Sequence, residues 1–407
     1  MCPTSPSLTA QEIKATLLKF HKSKGYRLFE SFPIVSADST VMFVNATITP
    51  FKPWFTDDSI KSDNYALIQG CFRMGGANEL DVVGINPYYF TFFEMFGSGI
   101  FHTTHEKAVS YLLELLAVFG IEKRHLYFTI PTSEEFLEAL KQNRIEEEQI
   151  FQLTENKHFW QEWKFGVPGL VGHGLTVVFS RSPEKVTSVE QLASDQDQYV
   201  ELLNLIHVHS QSLPDGKLVP ISNSGFDLGV GVERLAAVLR GCDSYRIDTI
   251  LPLVQTAKTF LLERGGKTDD AVARICADHF RAIYTLLAQR IAPSNKGHGY
   301  VLRKLIRKFL GTVWLLVERP LSTKELVQNL SASFESNGFV VGVGRCDSVS
   351  EEIRKEEVAL LTILQRADEV IRQHPKASPQ TLYDTYGISR TLLTLTQQNH
   401  NRKKGGE

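Results

Sequence analysis

Residues 226–239 read Phe-Asp-Leu-Gly-Val-Gly-Val-Glu-Arg-Leu-Ala-Ala-Val-Leu. A carboxylate, two glycines and a Glu-Arg pair precede an apolar stretch, the pattern of a strand or turn running into a helix. Gly229 and Gly231 carry no Cβ, so a ligand can approach the main chain closely. Asp227 offers a negative charge beside that approach. Arg234 falls in a first helical turn, whose N–H groups favour anions. Alone, Gly-x-Gly before a helix fits either a tight turn or a nucleotide site. Two further stretches bear on the choice. Residues 65–73 read as a strand that ends on a buried arginine, Arg73. Residues 88–95, Tyr-Tyr-Phe-Thr-Phe-Phe-Glu-Met, read as an aromatic strand antiparallel to it across a polar loop, 74–87. Arginine's forked donors hold phosphates and aromatic rings stack on adenine. Phe92 and Phe93 face opposite ways on a strand, so one of them is core.

Composition narrows the class. The chain has 407 residues, 43% hydrophobic and 22% charged, with net charge −2. That is an ordinary globular mix of two or three domains. No global basic field exists, so nucleic-acid contacts would need local patches. The five cysteines are scattered and form no CxxC pair, which points to a reducing compartment without a disulfide framework or a cysteine metal site. No signal peptide or apolar run of 18 residues is present, so the expectation is a cytoplasmic protein with no membrane partner.

The elements that position these residues can be sketched from periodicity. Thr9-Ala-Gln-Glu12 is a capping box before a helix with Ile13, Leu17, Leu18 and Phe20 on its apolar side. Residues 26–55 look strand-rich, with 41–45 the clearest buried strand. A helix is expected at 105–119 and a strand at 126–130. Residues 133–164 read as mostly helical and 166–174 as loop. A short strand follows at 177–180, then a strand, or a short helix leading into one, at 199–209. A turn comes at 214–216, after which strand chemistry declines. From about 245 the pattern is helical, at 247–264, 268–290, 299–317, 322–334 and 349–373. The helix around Tyr300 carries Arg303, Lys304, Arg307 and Lys308 opposite Val301, Leu302, Leu305, Ile306 and Phe309. Such a face is either merely solvated or a phosphate-backbone surface.

Taken together, the motifs resemble the aminoacylation half of the alanyl-tRNA synthetase family, class II, over about residues 9–395. The resemblance rests on Phe43-Val-Asn-Ala46 with Phe51-Lys52, Gln69-Gly-Cys-Phe-Arg-Met-Gly-Gly76, Thr91-Phe-Phe-Glu-Met95, Phe159-Trp-Gln161 and the 226–239 stretch. Further on it includes Ala277-Asp-His-Phe-Arg281, Pro293-Ser-Asn295, Gly299-Tyr-Val-Leu-Arg303 and Leu382-Tyr-Asp-Thr-Tyr-Gly387. It implies an α+β fold, a class II antiparallel sheet flanked by helices and followed by an all-helical tRNA-recognition domain. The expected division is 1–242, 243–400 and a disordered tail, 401–407. The implied catalytic residues are Arg73 and Arg234, with ATP held by these, Phe90, Phe93, Gly229 and Gly231. The implied amino-acid pocket is Trp160, Asn204, Ile206, Asp227 and Gly229, with Asp227 taking the substrate ammonium. Asn295 and Asp384 match the readers of an acceptor-stem guanine–uracil pair, flanked by Arg303 and Arg307. ATP and Mg2+ are the implied cofactors, and tRNA of the alanine type and a small amino acid the partners.

Several positions depart from the family pattern. Trp163-Lys-Phe-Gly-Val-Pro-Gly-Leu-Val171 replaces a cysteine- and proline-rich stretch. His173 replaces an acidic residue, and His207-Val-His-Ser210 replaces a hydrophobic run. Ala77 stands where the motif two loop has a lysine. The chain also stops before the family's editing and C-terminal domains. His207, His209 and His173 could be imagined around a zinc ion, but hydrogen-bonded histidines are the plainer reading and no metal site is assigned. The expectation is retained adenylation with altered selectivity on the amino-acid side, around Trp160, His173, Ile206 and His207. A specialised ligase would then supply aminoacyl-tRNA to a downstream transferase in natural-product synthesis. The alternatives are a minimal alanine–tRNA ligase, an inactive tRNA-binding paralogue, or an enzyme that adenylates for another acceptor.

Overall fold

The computed structural model describes residues 8–57, 59–60, 62–74, 82–154, 162–166, 168–182, 184–264, 270–316, 323–337, 343–386, 388 and 392–397. These fall into two compact units. One comprises 8–74 and 92–248; the other comprises 82–91, 249–337 and 343–397.

The first unit is built on a nine-stranded mixed sheet. Its strands are β1 (Arg27–Phe29), β2 (Tyr65–Phe72), β3 (Phe92–Phe101), β4 (Leu126–Pro131), β5 (Ile150–Leu153), β6 (Glu162–Phe165), β7 (Gly169–Ser180), β8 (Tyr199–Ser212) and β9 (Leu218–Gly231). They run in the order β1-β2-β3-β9-β8-β7-β4-β5, with β6 paired to β7. The central pairs are antiparallel, and only β1–β2 and β4–β5 are parallel. Every residue of β2 is buried, as a strand covered on both faces requires. The flanking helices are α1 (Ala10–Ser23), α2 (Lys52–Thr56), α3 (His105–Val118), α4 (Glu134–Gln142), α5 (Val189–Ser194) and α6 (Val232–Arg240). The α1 cap is the expected reciprocal box between Thr9 and Glu12. Gly241 closes α6 at φ +66°, a conformation glycine adopts without strain.

Several segments differ from the periodicity reading. Residues 41–45 are buried at Phe43 and Val44 but form no strand. Val44 instead exchanges single backbone bonds with Ile34 and Phe72, at 2.8 and 2.9 Å. The described residues of 133–164 hold the short helix α4, a 3-10 turn at Glu147–Gln149 and the strands β5 and β6. The stretch 166–174 belongs largely to β7. Its glycines suggest loop, but they are close-approach positions in a strand. A Cβ on Gly172 would lie 2.6 Å from the His207 carbonyl oxygen, and one on Gly174 would lie 2.9 Å from Ile206 Cγ1. Finally, β9 begins at Leu218. Its first half is polar because only its second half is buried.

The second unit is helical: α7 (Leu251–Glu263), α8 (Asp270–Ala288), α9 (Gly297–Leu316), α10 (Lys324–Ser336), α11 (Val349–Gln373) and α12 (Pro379–Tyr386). Helix α8 is buried almost all round and forms its centre. Residues 82–91 belong to this unit, where the Thr91 N–H donates to Asp278 Oδ1 at 2.8 Å. That contact explains why the aromatic run 88–95 is not one strand: β3 starts only at Phe92. Among the described residues no helix is long and apolar enough to cross a membrane.

Candidate functional site

Strand register decides which side chains meet. Directly paired residues share a face, and neighbours along a strand alternate. The pairs Cys71–Phe93, Gln69–Met95, Leu67–Gly97 and Tyr65–Gly99 link β2 to β3. Gly99–Asp227, Gly97–Gly229 and Met95–Gly231 carry the same face to β9. Ile206–Asp227 and Asn204–Gly229 carry it to β8, and Gly174–Ile206 and Thr176–Asn204 to β7. One face therefore gathers Phe93, Asn204, Ile206, Asp227, Gly229 and Gly231, all named from the sequence.

The glycines on this face serve two purposes. A Cβ on Gly97 would fall 1.9 Å from Thr47 Oγ1, and one on Gly99 would fall 2.1 Å from Tyr65 Cε1, so packing requires both. Among the described residues, a Cβ on Gly229 would meet only Met95 Sδ, at 3.6 Å, and one on Gly231 only Arg234 Cβ, at 3.5 Å. Both are ordinary contacts, so packing leaves room over Gly229 and Gly231. That is what the floor of a ligand site requires.

Asp227 is 4% exposed, and its Oδ1 is buried without a hydrogen-bond partner. Burial pushes its carboxyl up to about 7. Tyr65 leans over Gly99 from the other side, fully buried, and its hydroxyl is likewise unpartnered. Its ring stacks on Phe51 with centroids 3.7 Å apart. Around them lies an apolar cluster that includes Phe51, Phe55, Phe101, Ile206 and Val208.

Two arginines reach this face from its ends. Arg73, just beyond β2, is exposed rather than buried: with the ladder ended, its side chain leaves the strand. Its guanidinium lies over the half-buried Phe93 ring, 5.0 Å from the centroid, and its Nε donates to the Asn45 carbonyl at 3.1 Å. Phe92, the neighbour, is fully buried in the core. Arg234, in the first turn of α6, donates to the Glu201 carbonyl at 2.7 Å and lies 3.7 Å from its carboxylate. Glu201 also accepts from Asn204 Nδ2 at 3.1 Å, while Asn204 Oδ1 accepts from Thr176 at 2.6 Å.

The acid beside Arg234 has a different task. Glu233 is buried and its carboxylate accepts the Glu94 N–H at 3.0 Å, continuing the ladder where β9 has ended. Glu94 in turn pairs with buried Lys14 of α1 at 3.0 Å. The Glu-Arg dipeptide thus splits into a scaffold residue and a candidate site residue. Residue type alone does not distinguish them; of the missed members, Glu94 lies in the Thr91–Met95 motif without its role being legible, and Tyr65, Gly99 and Lys14 belong to no quoted motif.

The histidines depart from expectation. His173 pairs with His207, which pairs with Phe226, so these residues lie on the face opposite Ile206 and Asp227. They do not form a wall with Ile206. His207 stacks on Phe226 and meets His105 of α3 edge-on, at centroid distances of 4.8 and 4.6 Å. His209 Nε2 and His173 Nδ1 are 3.0 Å apart. Burial, then the neighbouring His105 and His209, hold His207 down to about 4, so it is neutral at pH 7. Among the described residues no group of three or more His, Cys, Asp or Glu is placed to hold a metal ion.

Trp160 and Ala77 lie outside the described residues. Phe90 is buried within the helical unit. In that unit Arg303 and Arg307 of α9 both pair with Glu356 of α11, at 2.9 and 3.2 Å. Arg303 also donates to Asn295 Oδ1. Asp384 lies in α12.

A family profile described as "tRNA synthetases class II (A)" matches residues 12–403. Curated relatives are alanine–tRNA ligases. One from Campylobacter jejuni is 29% identical, covering 96% of this chain and 48% of that protein. One from Sulfurimonas denitrificans is 30% identical, covering 95% and 46%. One from Jannaschia sp. is 31% identical, covering 95% and 45%. The chain spans about half the length of these relatives. With the profile covering nearly all of it, and a mixed sheet whose one face collects the two arginines, the open glycines and the buried carboxylate, the chain belongs to the class II tRNA synthetases (A).

Proposed function

We propose that this chain activates a small α-amino acid with ATP and transfers it to tRNA, as an alanine–tRNA ligase does. The observation that carries the reading is Asp227: a buried carboxylate with an unpartnered oxygen, on the face that holds open Gly229 and is flanked by Arg73 and Arg234. An ammonium ion would satisfy that oxygen. The substrate carboxylate is already ionised and needs no general base to attack the α-phosphorus of ATP. Position and positive charge do the work. Arg73 beside Phe93 suits a nucleotide stacked on the ring with its α-phosphate on the guanidinium. Arg234 suits the remaining phosphates. Magnesium would arrive with those phosphates and neutralise the leaving pyrophosphate.

For the acceptor, Asn295 and Asp384 would read the acceptor stem, with Arg303 and Arg307 beside it. An arginine only donates, so Arg303 must face Asn295 Oδ1, which leaves Nδ2 to donate outward. The idea of a special amino acid for a downstream transferase rested on substitutions that include His173 and His207, and these lie off the site face. The reading carried forward is therefore alanine or a close analogue.

The test is ATP–pyrophosphate exchange over a panel of amino acids, followed by charging of alanine tRNA. Exchange with alanine that is lost in Arg73→Ala and Arg234→Ala supports the reading. Tight tRNA binding without exchange for any amino acid overturns it in favour of a binding paralogue. Charging that survives replacement of both Asn295 and Asp384 overturns the assignment of the acceptor-stem readers.

A further inference from the structure

Tyr65 of β2 has no place in the scheme above, yet it shares the site face with Asp227. The two residues flank Gly99: Tyr65 pairs with it from one side and Asp227 from the other. Tyr65 Cε1 and Cζ lie within 2.6 Å of where a Gly99 Cβ would stand, so the ring leans across β3 toward β9. The charge on Asp227 is felt at the Tyr65 hydroxyl, which burial and that charge together hold well above its ordinary range. The ring cannot swing away. It stacks on Phe51 at an 11° interplanar angle, and Trp54 meets it edge-on at 5.5 Å.

Tyr65 Oη and Asp227 Oδ1 are both buried and both lack a hydrogen-bond partner. Neither satisfies the other, although their residues flank the same glycine. Leaving one buried polar atom unpaired costs free energy, and two that flank the same glycine on one sheet face need a reason. We infer that Tyr65 Oη is a second ligand for the substrate's ammonium group, accepting one N–H while Asp227 accepts another. This rests on the adenylation reading above and adds a residue to it. A primary ammonium has several N–H donors at tetrahedral spacing, enough for both oxygens at once. A hydroxyl has one donor and cannot serve both. Tyr65 is thus a specificity-determining residue: it favours a free amine over an α-hydroxy acid, and a primary amine over an N-acylated one.

The test uses the full chain and isothermal calorimetry with alanine, with alaninol, which keeps the ammonium but lacks the carboxylate, and with lactate, which lacks the ammonium. Tyr65→Phe removes only the hydroxyl and keeps the stack on Phe51. It should weaken alaninol and alanine binding on the order of 10- to 100-fold, the loss of one hydrogen bond to a charged group. ATP affinity should not change. Without ligand the variant should melt at the wild-type temperature or above, because the lost hydroxyl had no partner; a merely structural tyrosine would give a lower one. In an Asp227→Asn background, Tyr65→Phe should add little further loss. Wild-type alaninol affinity in Tyr65→Phe, equal losses for ATP and alaninol, or no alaninol binding by the wild type would each overturn the inference. The two readings fail separately. Exchange absent in the wild type, with Tyr65-dependent alaninol binding intact, removes adenylation and keeps the amine site. Exchange in Tyr65→Phe at the wild-type alanine KM does the reverse.

Discussion

Replacing Asp227 by asparagine should stabilise the empty protein at alkaline pH and disable it at the same time. The carboxyl of Asp227 moves from an ordinary 3.8 to about 7 because burial disfavours its charge. Below about pH 4 the folded and unfolded chains both hold the proton, and no cost arises. Between about 4 and 7 the unfolded chain ionises while the folded chain keeps its proton, so stability falls as pH rises. Above 7 the full cost is present, about 4 kcal/mol at about 1.36 kcal/mol per pH unit between the two values. From pH 5 to pH 8 the wild type should lose about 2.5 kcal/mol through this group, and Asp227→Asn should lose none of it. The stability difference between the two proteins should therefore swing by about 2.5 kcal/mol over that range, about 5 °C in Tm. Thermal melts of both at pH 5, 6, 7 and 8 read it directly, because every other titrating group cancels in the difference. Substrate binding has the opposite sign. An ammonium needs the ionised form, so the alanine KM of the wild type should fall about tenfold per pH unit up to about 7. A difference between variant and wild type that stays flat with pH would refute the buried, uncompensated carboxylate. An Asp227→Asn enzyme with a normal alanine KM would refute its role as ammonium anchor.

The glycines separate packing from function. Gly229→Ala should change stability by less than about 1 kcal/mol, since among the described residues its Cβ meets only Met95 Sδ at 3.6 Å, yet raise the KM for ATP or amino acid at least about tenfold in exchange assays. Gly99→Ala should destabilise by about 1–3 kcal/mol or more in urea titration, because the new Cβ collides with the locked Tyr65 ring. Lys14→Met removes the buried cation that pairs with Glu94 at 3.0 Å and should cost about 3–5 kcal/mol in the same measurement. Glu356→Gln weakens its hold on Arg303 and Arg307, and with it the orientation of Asn295; tRNA charging should fall about tenfold while pyrophosphate exchange is unchanged.

Legibility followed the kind of signal each element carries. Helices α1, α3 and α7 to α11 announce themselves through long 3.6-residue periodicity and, for α1, a capping box. The strands around the site were harder. β7 is rich in glycine because Ile206 and the His207 carbonyl press against it, and glycine reads locally as loop. The first half of β9 is polar because it is open to solvent. The run 41–45 is apolar because it is buried, but burial without a full ladder is not a strand. In the candidate site, Asp227, Gly229 and Arg234 were visible because they fall in the 226–239 stretch that carries the family resemblance, and their roles came with it as expectations. Tyr65, Glu94 and Lys14 were not. Each owes its place to a partner more than twenty residues away, and single-sequence reading contains no register.

On the adenylation reading, register also bears on where selectivity for the amino acid is decided. Replacing an acid by His173, and an apolar run by His207 and its neighbours, looks in sequence like a rebuilt pocket. On the sheet the His173 and His207 side chains lie on the opposite face, where His207 meets His105 of α3 and Phe226 of β9. They exchange one packing layer for another on the far side of the strands. The same strands present Ile206, Asn204 and Asp227 to the site, and β2 adds Tyr65 over Gly99. A side chain that enters beside the ammonium therefore meets Ile206 and the Tyr65–Phe51 stack, both apolar and both fixed by the same buried cluster. Apolar walls of this kind discriminate a methyl from an ethyl group by only about 1–3 kcal/mol. Enlarging the pocket with Ile206→Ala should thus raise exchange with 2-aminobutyrate relative to alanine by about tenfold to a few hundredfold, whereas His207→Phe should leave that ratio where it stands. A shift in the ratio with His207→Phe and none with Ile206→Ala would place the substrate on the other face and undo the assignment of the site.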